Sequence, residues 1–414
     1  MNSQFINLPL NSGEALIMHI DINSCFATIE QQANPFLRGK PIAVVAHNYS
    51  KGCVLAASIE AKRYGVKTGT VLWKAKQLCP NIIPLSPDPD KYRDVHKKFR
   101  DILSDYSYDF YPKSIDEFVV NLAVSPQLRT MSTVDIAQEI KQRIRSEIGE
   151  WIRVSVGIGT NRFWAKTASN VQKPDGLTLM DKTTARDIYK KMKLVDIHGI
   201  NVRNEIRLNS IGVYSPIEFL DASYEKLKTA FKTAGATYWY SRLRGYEIDA
   251  VEFARRSFGN TYSMPGGPSS LEDLAPILMK LVFKSTMRLR KAGFSARGVH
   301  LGVRYKEFPF WHKGKSVSEP IFTTSDIYTI AHELLEKSPR KPVANLAVTC
   351  FNLVKQTYQQ PDLFSKIDKD LHMTEAVDRI NSRWDRYTIY PARMLSQVSK
   401  QPEAIGFGNI RELV

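Results

Sequence analysis

Apolar and polar positions change period several times along this chain. "EALIMHIDIN" (14–23) is a near-continuous apolar run broken by Asp21, the pattern of a central strand buried on both faces. Asn23 or Ser24 can cap the helix that follows, "SCFATIEQQ". "PIAVVAH" (41–47) and "CVLAAS" (53–58) read as strands, and "IEAKRYG" and "TVLWKAKQLCP" as short helices, the second stopped by Pro80. A helix over about 90–106 leads into a hairpin. Its second strand opens at "SIDEFVVNL" with two adjacent carboxylates, Asp116 and Glu117. Val134, Ala137, Ile140, Ile144 and Ile148 recur at helical spacing in 132–149. "IRVSVGIG" (152–159) is another strand, and "NRFWAKTASNV" another helix. The order β-α-β-β-α-β-α predicts an α+β layer fold such as a ferredoxin-like sheet.

From about 181 to 245 strands give way to short helices. A second αβ unit follows, with strands at 257–264, 297–305, 318–323 and 343–354 and helices at 271–292 and 326–337. After about 355 come a polar stretch, "KQTYQQPDLFSKIDKD", and one more helix. A chain of 414 residues is too long for one ordinary core, so two to four domains are expected.

Composition narrows the function. No run approaches the length of a membrane span, and no signal peptide is read, so a cytoplasmic protein with no membrane partner is expected. Cys25, Cys53, Cys79 and Cys350 are scattered, which fits reduced thiols better than disulfides or zinc. Lys and Arg exceed Asp and Glu by 16, and residues 241–360 hold 18 basic against 10 acidic residues. That excess suits a polyanion, nucleic acid above all.

Asp21 ends one buried strand and Asp116-Glu117 begin another. Three clustered carboxylates repel, and at least one pKa rises unless cations neutralise them. Hard oxygen ligands of this kind suit Mg2+, and a pair of such ions serves phosphoryl transfer. Neighbours on a strand point to opposite faces, so Asp116 and Glu117 converge only if the turn rotates them together. "VGIGTNR" lacks the third glycine of a dinucleotide loop, with Arg162 in its place. Gly157 and Gly159 therefore read as sites of close backbone packing.

"HIDINSCFATIEQQ", "AASIEAKRYGVKTG", "SIDEF", "VSVGIGTNRFWAKTASNVQKPDG" and "DIHGI" follow one another in an order and spacing that resembles the Y-family translesion DNA polymerases, their bacterial polymerase IV branch most of all. The likeness covers about residues 14–355. It implies a right-hand polymerase: palm and fingers over 1–180 (fingers about 35–90), a helical thumb over 181–245, an αβ little finger over 246–355 and a tail over 356–414. Asp21 and Asp116 would ligate two Mg2+ ions (Mn2+ substituting), the Ile22 carbonyl one of them, and Glu117 the catalytic one. Ser24, Cys25 and Phe26 would seat the triphosphate, with Phe26 as the steric gate against a 2′-hydroxyl. Lys173, held extended by Pro174, matches the lysine that reaches the phosphates.

Three departures stand out. Ile59 and Lys62 occupy the places of the family's Tyr and Arg, so the dNTP loses a bidentate fork unless Arg63 compensates. Cys25 replaces an aromatic residue. In "DIHGIN", half of a helix-hairpin-helix, Gly199 and Ile200 would contact DNA phosphates, but Asn201 stands where a second glycine is usual. Gln360, Leu363 and Phe364 resemble the peptide that holds the bacterial sliding clamp. The resemblance implies a monomeric, low-fidelity enzyme without proofreading, acting on primer-template DNA and dNTPs. A nucleotidyl cyclase, which builds a similar carboxylate site on a ferredoxin-like sheet, and a catalytically silent DNA-binding relative are the alternatives.

Overall fold

The structure, a computed structural model, describes residues 8–50, 52–251, 254–264, 266–307, 309–355, 367–384 and 387–397. They form two compact units that divide near residue 252. Among the described residues no helix is long and apolar enough to cross a membrane.

The first unit begins with β1 (Ile17–Ile22), α1 (Cys25–Ala33), β2 (Ile42–Val45), β3 (Val54–Ala57), α2 (Ile59–Arg63), α3 (Leu72–Leu78), β4 (Ile83–Leu85) and α4 (Pro89–Ser104). It continues with the hairpin β5 (Phe110–Ser114) and β6 (Glu117–Asn121), α5 (Thr133–Arg143), β7 (Val154–Gly159), α6 (Arg162–Val171) and β8 (Leu177–Met180). The main sheet runs β5-β6-β1-β7-β8, and a small sheet β3-β2-β4 stands apart. Met18, Ile20, Phe118, Val154, Val156 and Ile158 alternate onto one face of the main sheet and meet α4 and α5 in a shared core. The opposite face, carrying His19 and Asp21 in register with Gly157 and Ser155, receives α6.

The glycines of β7 set how closely α6 lies. A Cβ on Gly157 would come within 2.1 Å of the Ala165 carbonyl oxygen, and one on Gly159 within 2.7 Å of the Ala165 nitrogen. This is the close packing expected from "VGIG". Gly157→Ala should therefore lift α6 and cost about 3 kcal/mol, as overpacking of a tight core does; an unshifted melting temperature would rule this packing out.

Four helices complete the unit: α7 (Ala185–Lys190), α8 (Val202–Asn209), α9 (Pro216–Asp221) and α10 (Tyr224–Arg242), the last broken at Lys232, where φ is 60°. Their apolar faces close over Phe163 and Trp164 of α6. Residues 246–251, expected with the little finger, instead join this unit. Asn161 Nδ2 donates to the Tyr246 carbonyl at 2.8 Å, and Arg162 pairs with Glu247 at 3.0 Å.

The second unit is a four-stranded antiparallel sheet of order β11-β10-β12-β9, built from β9 (Ser257–Ser263), β10 (Phe294–Tyr305), β11 (Trp311–Ile321) and β12 (Val343–Lys355). On one face lie α11 (Leu271–Lys291) and α12 (Thr324–Glu336), over Val299, Leu301, Leu346 and Val348. β11 starts earlier than the expected 318. The segment expected as a separate tail also contributes here: Arg290 grips Asp378 of α13 (Ile367–Arg383) at 2.7 Å, and Met394 is buried in the same core. The clamp-like residues Gln360, Leu363 and Phe364 lie outside the described residues.

Candidate active site

The hairpin between β5 and β6 answers how adjacent carboxylates converge. Ser114 pairs with Glu117, so Ile115 and Asp116 are the turn and Asp116 is free of the strand's alternation. Glu117 opens β6 directly opposite Asp21 of β1. The Asp116 carbonyl accepts from the Ile22 N–H at 2.9 Å, which fixes the turn against the end of β1. The Ser114 hydroxyl donates to Asp116 Oδ1 at 2.5 Å.

The sheet face that carries these acids is the face covered by α6, and two lysines meet them there. Lys166 of α6 places its Nζ 2.9 Å from Asp21 Oδ2 and 2.7 Å from Glu117 Oε1. Lys173 Nζ lies 2.8 Å from Asp21 Oδ2. His19, buried two residues before Asp21, brings Nε2 to 3.5 Å from Glu117 Oε2. Ligand atoms of His19, Asp21 and Glu117 all lie within 4.8 Å of one another, a spacing that a cation could share.

Charge and burial pull the two neighbouring carboxyls apart. Burial pushes Asp116 up to about 6; Asp21 and Glu117 add to the rise, and the Ser114 hydroxyl opposes it. Burial also pushes Glu117 upward, but the His19 ring and the Lys166 ammonium outweigh it and hold this carboxyl well below its ordinary range. Burial lowers His19, leaving a neutral ring. The Lys166 ammonium is favoured because Asp21 and Glu117 overcome its own desolvation.

A cavity of about 490 Å³ opens beside the acids. Asp21, Ile22 and Asp116 line one side, Ser24 and Cys25 the start of α1, and Ile59, Lys62, Arg63 and Lys173 the basic side. Ser24 adopts φ 53° and makes no capping bond with its side chain, contrary to expectation; its buried hydroxyl has no partner among the described residues. Asn23 is used elsewhere, donating to Ser155 Oγ at 3.0 Å and accepting from the Asp175 N–H. Lys173 lies in a turn before a cis peptide to Pro174, not in an extended segment.

Glu117 and Phe26 do not line the cavity. Phe26 is fully buried and stacks on Tyr92 of α4, ring centres 4.3 Å apart. Tyr92 in turn donates to Glu30 Oε1 at 2.8 Å. Gly199 and Ile200 sit apart from the cavity in the helical region. Gly199 takes φ +92°, a conformation glycine tolerates, and Asn201 caps α8 by accepting from the Asn204 N–H at 2.9 Å.

The residues missed from sequence are Lys166, His19 and Tyr92. Lys166 stands within the quoted "NRFWAKTASNV", where a lysine on an amphipathic helix reads as solvated. Its pairing across to β1 and β6 has no local signal.

Two family models match the chain: impB/mucB/samB over residues 20–170, and the impB/mucB/samB C-terminal domain over 255–363. The chain is 30% identical to DNA polymerase IV of Moorella thermoacetica over 396 residues, covering 93% of this chain and 97% of that protein. It is also 30% identical to DNA polymerase IV 1 of Bacillus subtilis, over 95% of this chain and 96% of that one. Among solved structures, a Y-family DNA polymerase chimera of Dbh and Dpo4 superposes with a TM-score of 0.72 at 24% identity, covering 82% of this chain and 99% of that one. DinB from Sulfolobus solfataricus superposes at 0.55 with 23% identity, over the same shares of the two chains. These likenesses show a shared fold.

Proposed function

Because this chain belongs to the impB/mucB/samB family of Y-family DNA polymerases, we infer that it extends a primer on a DNA template and is a polymerase of the translesion type. The observation that carries this reading is the meeting of Asp21 with Glu117 across β1 and β6, beside Asp116 in the hairpin turn, with Asp21 and Asp116 lining a cavity whose other side is basic. The cyclase alternative has no need of a basic second unit, and intact carboxylates argue against a silent relative. Primer extension across defined lesions, with cyclic-nucleotide formation as the control, tests it; a protein that extends no primer would sink the polymerase reading.

The family is metal-dependent, and the donors here fit. Asp21, Asp116, Glu117 and the Ile22 carbonyl are hard oxygens suited to two Mg2+ ions, with Mn2+ as a substitute. Such ions, when bound, lower the pKa of the primer 3′-hydroxyl and offset charge on the transferred phosphate. The remaining work falls to the chain. Lys62, Lys173 and Arg63 present cations to the triphosphate, and the N-terminus of α1 at Ser24 and Cys25 adds oriented amides. Ile59 offers only an apolar wall, so the cavity holds phosphate by point charges instead of a bidentate fork.

Asp116 must lose its proton before it can hold a cation. The Mg2+ concentration needed for half-maximal extension should therefore rise several-fold as pH falls from 7.5 to 5.5, through the Asp116 value of about 6. A Mg2+ requirement that is flat across this range counts against Asp116 as a ligand.

Gly199 and Ile200 are read as sequence-blind phosphate contacts. The enzyme is further read as monomeric, cytoplasmic, of low fidelity and without proofreading. Gln360, Leu363 and Phe364 are proposed to hold a sliding clamp, an adjacent apolar pair entering a partner's pocket. Leu363→Ala with Phe364→Ala should abolish clamp binding and long-stretch synthesis while sparing extension of a short primer; lost basal extension would refute the clamp role.

A further inference from the structure

The turn that carries Lys173 is held by two buried side chains. Ser155 of β7 stands opposite Asp21 in the strand register, and Asn23 follows Asp21 by two residues. Ser155 is fully buried and Asn23 nearly so. The Ser155 hydroxyl donates to the Gln172 carbonyl at 3.1 Å, and it accepts from the Gly176 N–H at 3.2 Å and from Asn23 Nδ2 at 3.0 Å. A hydroxyl has one donor and two acceptor positions, so this one is saturated. Asn23 Oδ1 accepts from the Asp175 N–H at 2.7 Å. Asn23 also lines the cavity, but both polar atoms of its side chain are committed to Ser155 and Asp175.

These bonds grip the chain on both sides of Lys173 and Pro174, at Gln172 before them and at Asp175 and Gly176 after. A Cβ on Gly176 would come within 2.0 Å of the Gln172 carbonyl oxygen, so the turn closes tightly on itself. Asp175 takes φ 63°, a left-handed conformation that Asp adopts more readily than most residues. Lys141 of α5 holds the far end of the turn. Its Nζ donates to the carbonyls of Asp175 and Gly176 at 2.5 and 3.0 Å, and Arg145 pairs with the Asp175 carboxylate. Between these fastened ends Lys173 lines the cavity, its ammonium 2.8 Å from Asp21 Oδ2.

A lysine is a point charge on a flexible stem, so it meets a fixed point reliably only if its backbone is fixed. A buried amide and hydroxyl that satisfy one another and three groups of the turn fix it more firmly than solvated loop bonds would. We propose that Asn23 and Ser155 are positioning residues. They latch the 172–176 turn to the end of β1 that carries Asp21, and so set where the Lys173 ammonium meets a bound triphosphate. Assigning that triphosphate to an incoming dNTP rests on the polymerase reading; the latch itself lies wholly within the first unit.

The test uses the full chain, the variants Ser155→Ala and Lys173→Met, and the two combined. Calorimetric titration with magnesium tripolyphosphate is one measurement and single-nucleotide insertion the other. Ser155→Ala should weaken tripolyphosphate binding about tenfold, the scale of a lost bond to a charged group. Lys173→Met should do the same, and the combination should be no worse than Lys173→Met alone, because the latch acts through the lysine. In insertion the loss should fall on KM for the dNTP, with kcat changing far less. Affinity for primer-template DNA should not change. Asn23→Ala, which releases the Asp175 end of the turn instead, should repeat the pattern if Ser155→Ala does not fold. Additive losses in the combination, a loss confined to kcat, or undiminished tripolyphosphate binding in the latch variants would each overturn the proposal. Wild type that shows this coupling on tripolyphosphate yet extends no primer would sink the polymerase reading and leave the latch standing.

Discussion

Asp116→Asn should reduce primer extension about a thousandfold or more, the scale on which phosphoryl transfer loses a charge-stabilising group. Shape is conserved: the amide oxygen can still accept from Ser114, and the turn still fixes itself through the Asp116 carbonyl to Ile22. Stability should move the other way. A carboxyl raised from 3.8 to about 6 is ionised at pH 7 at the folded state's expense, by up to about 3 kcal/mol. The penalty is absent below pH 4 and complete above pH 6, so at pH 7 the metal-free variant should melt no lower than wild type, and DNA affinity should persist. Calorimetry and anisotropy beside the extension assay decide it. A variant that loses extension, DNA binding and melting temperature together would show Asp116 to be structural.

Phe26→Ala should raise ribonucleotide insertion about 100-fold, the scale on which a pocket discriminates one small group. The burial of this ring adds a second expectation. Phe26 fills a closed site against Tyr92, so truncation should also cost about 3–5 kcal/mol through the cavity left behind. The two effects separate in one experiment: sugar selectivity measured at a temperature where the variant remains folded. Destabilisation with unchanged selectivity would assign Phe26 to the core alone, with Cys25 left as the residue of α1 beneath the nucleotide.

Why some of this was legible in the chain and some was not follows from the range of the signals. Asp21 interrupts an apolar strand, and Asp116-Glu117 follow a turn, so each announces itself within a few residues. The long helices and central strands carry strong periods and were readable to within a few positions. Strands with weak patterns were not: Ile83–Leu85 contains proline, Leu177–Met180 is only four residues, and the start of β11, "WHKGKS", has too few apolar residues to alternate. The predicted 132–149 helix ends its regular turns at Arg143 and loosens into a π turn over Ile144–Ile148. Side-chain partnerships were the least legible. Lys166 meets Glu117 49 residues away, and Tyr92 meets Phe26 66 residues away. Neither spacing has a local pattern, because each depends on how a helix docks on a strand.

The paired ammonium groups of Lys166 and Lys173 also bear on which ions the pocket ignores. Carboxylates already matched by two fixed cations present little net attraction to the surrounding salt. A sodium or potassium ion, with one diffuse charge, gains no more from Asp21 and Glu117 than the ammonium it would have to displace. A small doubly charged ion gains about twice as much at the same distance and can carry its own waters into the space. A site so paired would stay clear of monovalent salt and admit a divalent ion first, with Lys166 carried to Asp21 by an α6 seated on two glycines.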